Sequence, residues 1–218
     1  MTEKAEDTER ERAFLACAVE VARLIGVDVD RPGATARGHA RSLAGAVKRP
    51  LLEHAHLPEE LFTPLMAAAV HDPDPSFCRW FVEPALYCFG RRRVLEALVE
   101  YLRTGTDLER AGATRAWYWA HMPLRADRSP AYAPDGTRDP AMDTSRDAED
   151  AWLEVSMQVL VEATDVGIRN RVLRMLPISP EAYPPRLHDL FERSLSAARA
   201  DPDEDNRRWA RAVDRARS

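Results

Sequence analysis

The chain has 218 residues, with 31 Lys and Arg against 36 Asp and Glu, giving a formal net charge of −5 and a pI near 5.7. That balance argues against an indiscriminate polyanion binder while leaving room for a local basic groove. Only nine glycines are present, and 45% hydrophobic with 31% charged residues suits a helical core with a large solvated surface, since β-branched runs of alternating polarity are missing.

Residues 8–25 predict an amphipathic helix, with Phe14, Cys17, Ala18, Val21 and Ile25 at helical spacing. A loop follows through Asp30, Pro32 and Gly33, then a helix over 34–48 that Pro50 ends or kinks. This pair, within residues 1–57, lacks a clear Asp-Pro-Asp turn and reads as an N-terminal cap for a repeating array. A third helix starts near Pro58, where Glu59 and Glu60 suit the positive end of the helix dipole. It stops at Asp72-Pro73-Asp74-Pro75. The next helix carries Phe77, Trp80, Phe81, Pro84 and Cys88 on one broad side, and is read as a core face in preference to a ligand pocket. Arg91-Arg92-Arg93 then reads as a helix start or exposed corner, with phosphate contact as the alternative.

Val94, Leu95, Leu98 and Leu102 form the next stripe. Gly105 is expected to end that helix in the left-handed conformation, and Thr106 or Asp107 to cap its successor. In the successor, Leu108, Gly112, Ala116 and Trp119 share the expected core side, whereas Trp117 falls near Arg110 on an off-core side. The segment 121–147 contains four prolines, Gly136 and alternating charges, and reads as an insertion loop. Pattern returns with Trp152, Val155, Val159 and Leu160, then with Ile168, Val172 and Leu176 up to Pro177. After a proline-rich connector holding Tyr183, Leu187, Leu190, Phe191 and Leu195 define a further helix. A charged last helix with Trp209 and Val213 serves as a C-terminal cap.

Turns of similar composition recur, marked by Asp74, Asp107, Asp165 and Asp203 at offsets of 33, 58 and 38 residues. Removing an insertion of about 25 residues brings the middle offset into the 33–47 range of helical-repeat arrays. The turns Asp72-Pro73-Asp74-Pro75 and Asp201-Pro202-Asp203-Glu204-Asp205-Asn206-Arg207, with Thr164 to Arg169 as a degenerate copy, resemble HEAT repeats of the short kind found in phycobilin lyases. The resemblance spans roughly residues 58–216. It implies an all-α, α-α superhelix of stacked antiparallel hairpins, continuous over 58–218. It also implies that Asp74, Asp165 and Asp203 cap second helices, while Arg79, Arg169 and Arg207 support an aspartate in the adjoining repeat.

Searches for chemistry find little. His54 and His56 do not share a helical face, and no HExxH, Cys/His zinc, GxSxG, P-loop or dinucleotide-binding pattern occurs. No catalytic residue, metal or cofactor is therefore expected. Cys17, Cys78 and Cys88 make an odd count without CxxC spacing and read as structural thiols of a reducing compartment. The acidic N-terminus lacks signal-peptide order, and no apolar run approaches the roughly 20 residues that span a bilayer, so the expected location is cytoplasmic. The functional expectation is a non-catalytic scaffold binding another protein on the concave surface of the second helices. Arg110, Trp117, Tyr118, His121, Arg125 and Arg128 are the candidate contact residues. The alternative is a nucleic-acid binder similar to the HEAT-like alkylpurine DNA glycosylases; chromophore lyase or chaperone activity has no specific residue in its favour.

Overall fold

In a computed structural model, residues 3–30, 35–54, 56–125 and 145–217 are described, with side chains from residue 8 onward. The regular structure among them is entirely helical: α1 Glu3–Leu24, α2 Ala36–Glu53, α3 Phe62–His71, α4 Arg79–Phe89, α5 Arg91–Thr104, α6 Asp107–Ala120, α7 Arg146–Glu162, α8 Val166–Leu173, α9 His188–Ala200 and α10 Glu204–Ala216. Short 3₁₀ turns at Glu59–Leu61, Pro180–Ala182 and Pro185–Leu187 lead into α3 and α9. No described helix is long and apolar enough to cross a membrane.

The chain divides into two compact units, Met1–Leu98 with Arg115–Thr144, and Val99–Thr114 with Ser145–Ser218. In the first unit α1 packs on α2 and α3 on α4, with α1 against α3 and α2 against α4. The second unit follows the same scheme: α7 on α8 and α9 on α10, with α7 against α9 and α8 against α10. Each unit thus stacks two hairpins, first helix on first and second on second.

Sequence spacing explains the buried faces. In α2 the buried positions are Ala40, Leu43, Ala44, Val47 and Leu51, and in α9 they are Phe191, Ser194, Leu195 and Ala198. Both follow the three-and-four rhythm of one helical stripe. Edge-to-face aromatic pairs fill the middle of each unit, Phe14 with Phe81 in the first and Phe191 with Trp209 in the second.

Several local expectations change. Helix α2 continues through Pro50 to Glu53, because a proline in the last turn forfeits a single hydrogen bond while Leu51 beyond it is fully buried. Helix α4 likewise runs through Pro84. Gly105 does not adopt positive φ; among the described residues only Gly26 and Gly90 do. Its requirement is space, since a Cβ there would lie 2.4 Å from the Tyr101 carbonyl oxygen and 2.9 Å from Glu109 Cβ. The next helix starts with a reciprocal cap, in which Glu109 accepts from the Thr106 amide at 2.8 Å and the Thr106 hydroxyl accepts from the Glu109 amide at 3.3 Å.

The stacking of hairpins carries a repeated ion pair. In the first unit Arg41 of α2 reaches Asp72, in the turn between α3 and α4, with nitrogen to oxygen distances of 2.6 and 3.1 Å. In the second unit Arg169 of α8 reaches Asp201, in the turn between α9 and α10, at 2.9 Å. Each aspartate also accepts from the amide two residues on, Asp74 at 2.9 Å and Asp203 at 2.8 Å. Asp72 is fully buried, and Asp201 is 8% exposed. A second arginine satisfies the turn carbonyls: Arg115 donates to Val70 and Asp72, and Arg207 to Asp201 and Pro202.

The two carboxyls differ in their titration. Burial raises the pKa of Asp72 above its ordinary value, outweighing Arg41 and the Asp74 amide. At Asp201 burial is overcome by the Asp203 amide, Asn206 and Arg169, and the pKa falls below 3.8. Truncating Arg41 to alanine leaves Asp72 buried without its counter-ion, and is expected to lower the urea-unfolding free energy by about 3 kcal/mol. Arg49→Ala, which removes an exposed, solvent-screened partner of Glu53, should leave the urea-unfolding curve essentially where it is in the parent.

Linkage gives the two aspartates opposite signs. Asp201, depressed on folding, contributes stability above its unfolded value that is lost as pH falls through the lower folded value. Asp72, raised on folding, contributes stability below its unfolded value that is lost as pH rises through the folded value. Relative to the parent, Asp201→Asn should therefore lose stability, and Asp72→Asn gain it, as pH rises from about 3 to about 6. Melting temperatures across that range check this.

Candidate functional site

Side by side in the second unit, α8 and α10 enclose a groove of about 340 Å³. The geometry begins at the turn before α10, where the Asp203 carboxylate accepts from the amides of Asp205 at 2.9 Å and Asn206 at 3.3 Å. That cap sets the helical phase. Asn206, Trp209 and Val213 then fall on the buried side, while Asp205, Arg208 and Ala212 fall on the flank that lines the groove with Asn206 and Trp209. Asn170, Leu173 and Arg174 line it from the α8 side. Asp165 accepts from the Ile168 amide at 2.8 Å and fixes the phase of α8 in the same way.

The groove has an apolar floor and a charged rim. Trp209 is 8% exposed and donates from its indole nitrogen to the Leu176 carbonyl at 3.4 Å. At the rim Arg174 and Arg208 approach the single Asp205 carboxylate at 3.6 and 3.0 Å. Two guanidinium groups against one carboxylate leave a positive surplus at the rim. The side-chain oxygens of Asn170 and Asn206 are buried without a hydrogen-bond partner, while the Asn206 side chain is one of the groups that hold Asp201 below the ordinary carboxylate range against the effect of its burial.

The residues expected to contact a partner occupy varied positions. Arg110 closes the end of α5, donating to the Leu102 carbonyl at 3.2 Å and pairing with Asp107 at 3.3 Å. Its recess, of about 350 Å³, is shared with Arg103, Gln158 and Glu162. Trp117 is a correction to the helical-wheel reading: it is 6% exposed. Burial on α6 spreads over Ala111, Ala113, Ala116, Trp117 and Ala120, so this helix is covered on more than one side and a single-stripe wheel misplaces the ring. Trp119, placed on the core side by the wheel, is half-buried and donates to the Pro75 carbonyl at 2.7 Å. Tyr118 is the exposed aromatic, at 66%. His121 lies against Trp117 with the rings tilted and their centroids 4.8 Å apart, and the Arg125 amide donates to the Tyr87 hydroxyl at 3.2 Å. Arg128 and most of the 121–147 insertion lie outside the described residues.

The three consecutive arginines are engaged locally. Arg91 donates to the Ala120 carbonyl and, at 2.9 Å, to that of Met122, holding the end of α6. Arg92 pairs with Glu96 and Arg93 with Glu59, and the Arg93 guanidinium lies 4.0 Å from the Phe62 ring centre. Arg79 stands over Trp119 at 5.4 Å. Of the arginines expected to support an aspartate in the adjoining repeat, Arg169 meets Asp201, while Arg79 lies over Trp119 and Arg207 donates to carbonyls of its own turn; Arg41 and the asparagines of the groove have no signal in the sequence.

Among the described residues no three His, Cys, Asp or Glu side chains converge as a metal site would require. Burial pushes the Cys78 thiol up to about 12, so it stays protonated at neutral pH. No protein-family model matches the chain, and no curated protein or solved structure does. Truncation separates the aromatics of α6: Trp117→Ala should lower the urea-unfolding free energy by about 3–5 kcal/mol, whereas Tyr118→Ala should leave it within about 0.5 kcal/mol of the parent.

Proposed function

We propose that the chain is a HEAT-like array of helical hairpins acting as a non-catalytic module that binds another protein. The observation that carries this reading is the α8/α10 groove, which combines a tryptophan floor, a charged rim and buried amide oxygens without partners. Like-with-like packing of first and second helices in each unit supports the architecture, because such stacking leaves the second helices as a row that a partner can follow. An aromatic ring flanked by arginines is also a composition found at interface hot spots.

A second reading is a nucleic-acid-binding role of the alkylpurine-glycosylase type. It draws on the first unit, where Arg41 lies 4.5 Å from the Phe77 ring centre and Lys48 lies 4.8 Å from that of Trp80. Against it, Arg41 is committed to the buried Asp72 carboxylate, and the overall charge is −5.

Affinity capture of the tagged protein from its native lysate, with and without nuclease, tests the choice. A stoichiometric protein partner that survives nuclease is the expected result. Recovery of nucleic acid, steep loss of binding with salt, or base release from alkylated DNA would replace this reading with the second.

A further inference from the structure

We infer that the α8/α10 groove takes an extended peptide segment by its main chain, with an acidic side chain placed beside an apolar one. The inference rests on the protein-binding reading above and names what the partner presents. Asn170 and Asn206 line the groove, and their amide oxygens are buried with no hydrogen-bond donor. Asn206 is wholly buried. An acceptor shut away from water without a donor is costly to the folded chain, and a ligand that brings N–H groups into the groove removes that cost. A main chain in extended conformation offers an N–H at every residue other than proline, and alternates its side chains between two faces.

The rest of the lining selects the side chains. Leu173, Trp209 and Ala212 give the groove its apolar part, which suits an aliphatic or aromatic residue. Arg174 and Arg208 share Asp205 as their single carboxylate, so a second carboxylate from the ligand completes the charge balance. Both guanidinium groups are more than half exposed, which allows them to reach an arriving ligand. The unpaired amide oxygens need N–H donors, which a phosphate backbone lacks, and this favours peptide over nucleic acid.

The test uses the full chain and a displayed library of random linear dodecapeptides. Peptides enriched by selection are resynthesised with a fluorescent label, and their affinity is read by anisotropy. Enriched sequences should carry Asp or Glu next to an apolar residue, and N-methylation of a contacting amide should weaken binding at least about tenfold. Ala212→Trp, which fills the groove, should weaken binding by a similar factor. Asn170→Leu should also weaken it while leaving the melting temperature unchanged or higher, because it removes an unsatisfied acceptor; a merely structural asparagine would instead lose stability. The inference is overturned if no peptide is enriched, if enriched peptides bind the Ala212→Trp and Asn170→Leu proteins as well as the parent, or if a single-stranded DNA oligonucleotide displaces them. A lysate partner that stays bound to the Ala212→Trp protein would overturn the groove assignment while leaving the protein-binding reading standing.

Discussion

A carboxylate removed from water has to be compensated where it lies, and in this protein that constraint ties one hairpin to the next. Asp72 and Asp201 open the Asp-Pro-Asp turns of α3/α4 and α9/α10, and each faces an arginine from the second helix of the preceding hairpin. An ion pair of this kind fixes position more than it adds net stability, because desolvation of both charges offsets much of their attraction. Its value is registry. With Arg41 forked onto Asp72 through two nitrogens, α2 and the α3/α4 turn have one relative placement, and the apolar faces of that unit close around it. In the second unit the contact at Asp201 runs through the Arg169 Nε and does the same work between α8 and the α9/α10 turn.

The next aspartate in each motif has a separate task. Asp74 accepts from the Ser76 amide at 2.8 Å, and Asp203 caps α10 directly. In both turns the first carboxylate faces the neighbouring hairpin; the second caps the following helix at Asp203, whereas Asp74, expected as a cap, only tightens the turn, since α4 starts at Arg79 without a side-chain cap. Because the cap sets the phase of α10, it also decides that Asp205, Arg208 and Ala212 line the groove while Val213 is buried. The candidate binding surface is in this sense a consequence of the turn.

The same accounting bears on the cations. Many arginines that suggest a polyanion surface in the sequence serve helix ends and carboxylates in the structure. Arg91 holds the end of α6, Arg110 the end of α5, and Arg115 and Arg207 the turn carbonyls. A guanidinium presents five donors in a rigid fork, which makes it suited to satisfying the carbonyls that a helix terminus leaves unpaired. Abundant arginine in a chain of net charge −5 is then an architectural feature before it is a binding one.

What the sequence determined by itself was local. Three-and-four spacing of apolar residues located the helices, and the Asp-Pro-Asp runs located two turns, because helix formation and capping depend on residues within one or two turns of each other. Tertiary structure decided the rest. Trp117 became buried because α6 is covered on more than one side, which one helix's periodicity cannot express. Gly105 proved necessary for clearance from the Tyr101 carbonyl and not for a left-handed backbone. Asp72 found Arg41 across 31 positions of chain, and Asn170 and Asn206 came to line one groove across 36 positions. Such meetings depend on how helices pack in space, and no local spacing encodes them.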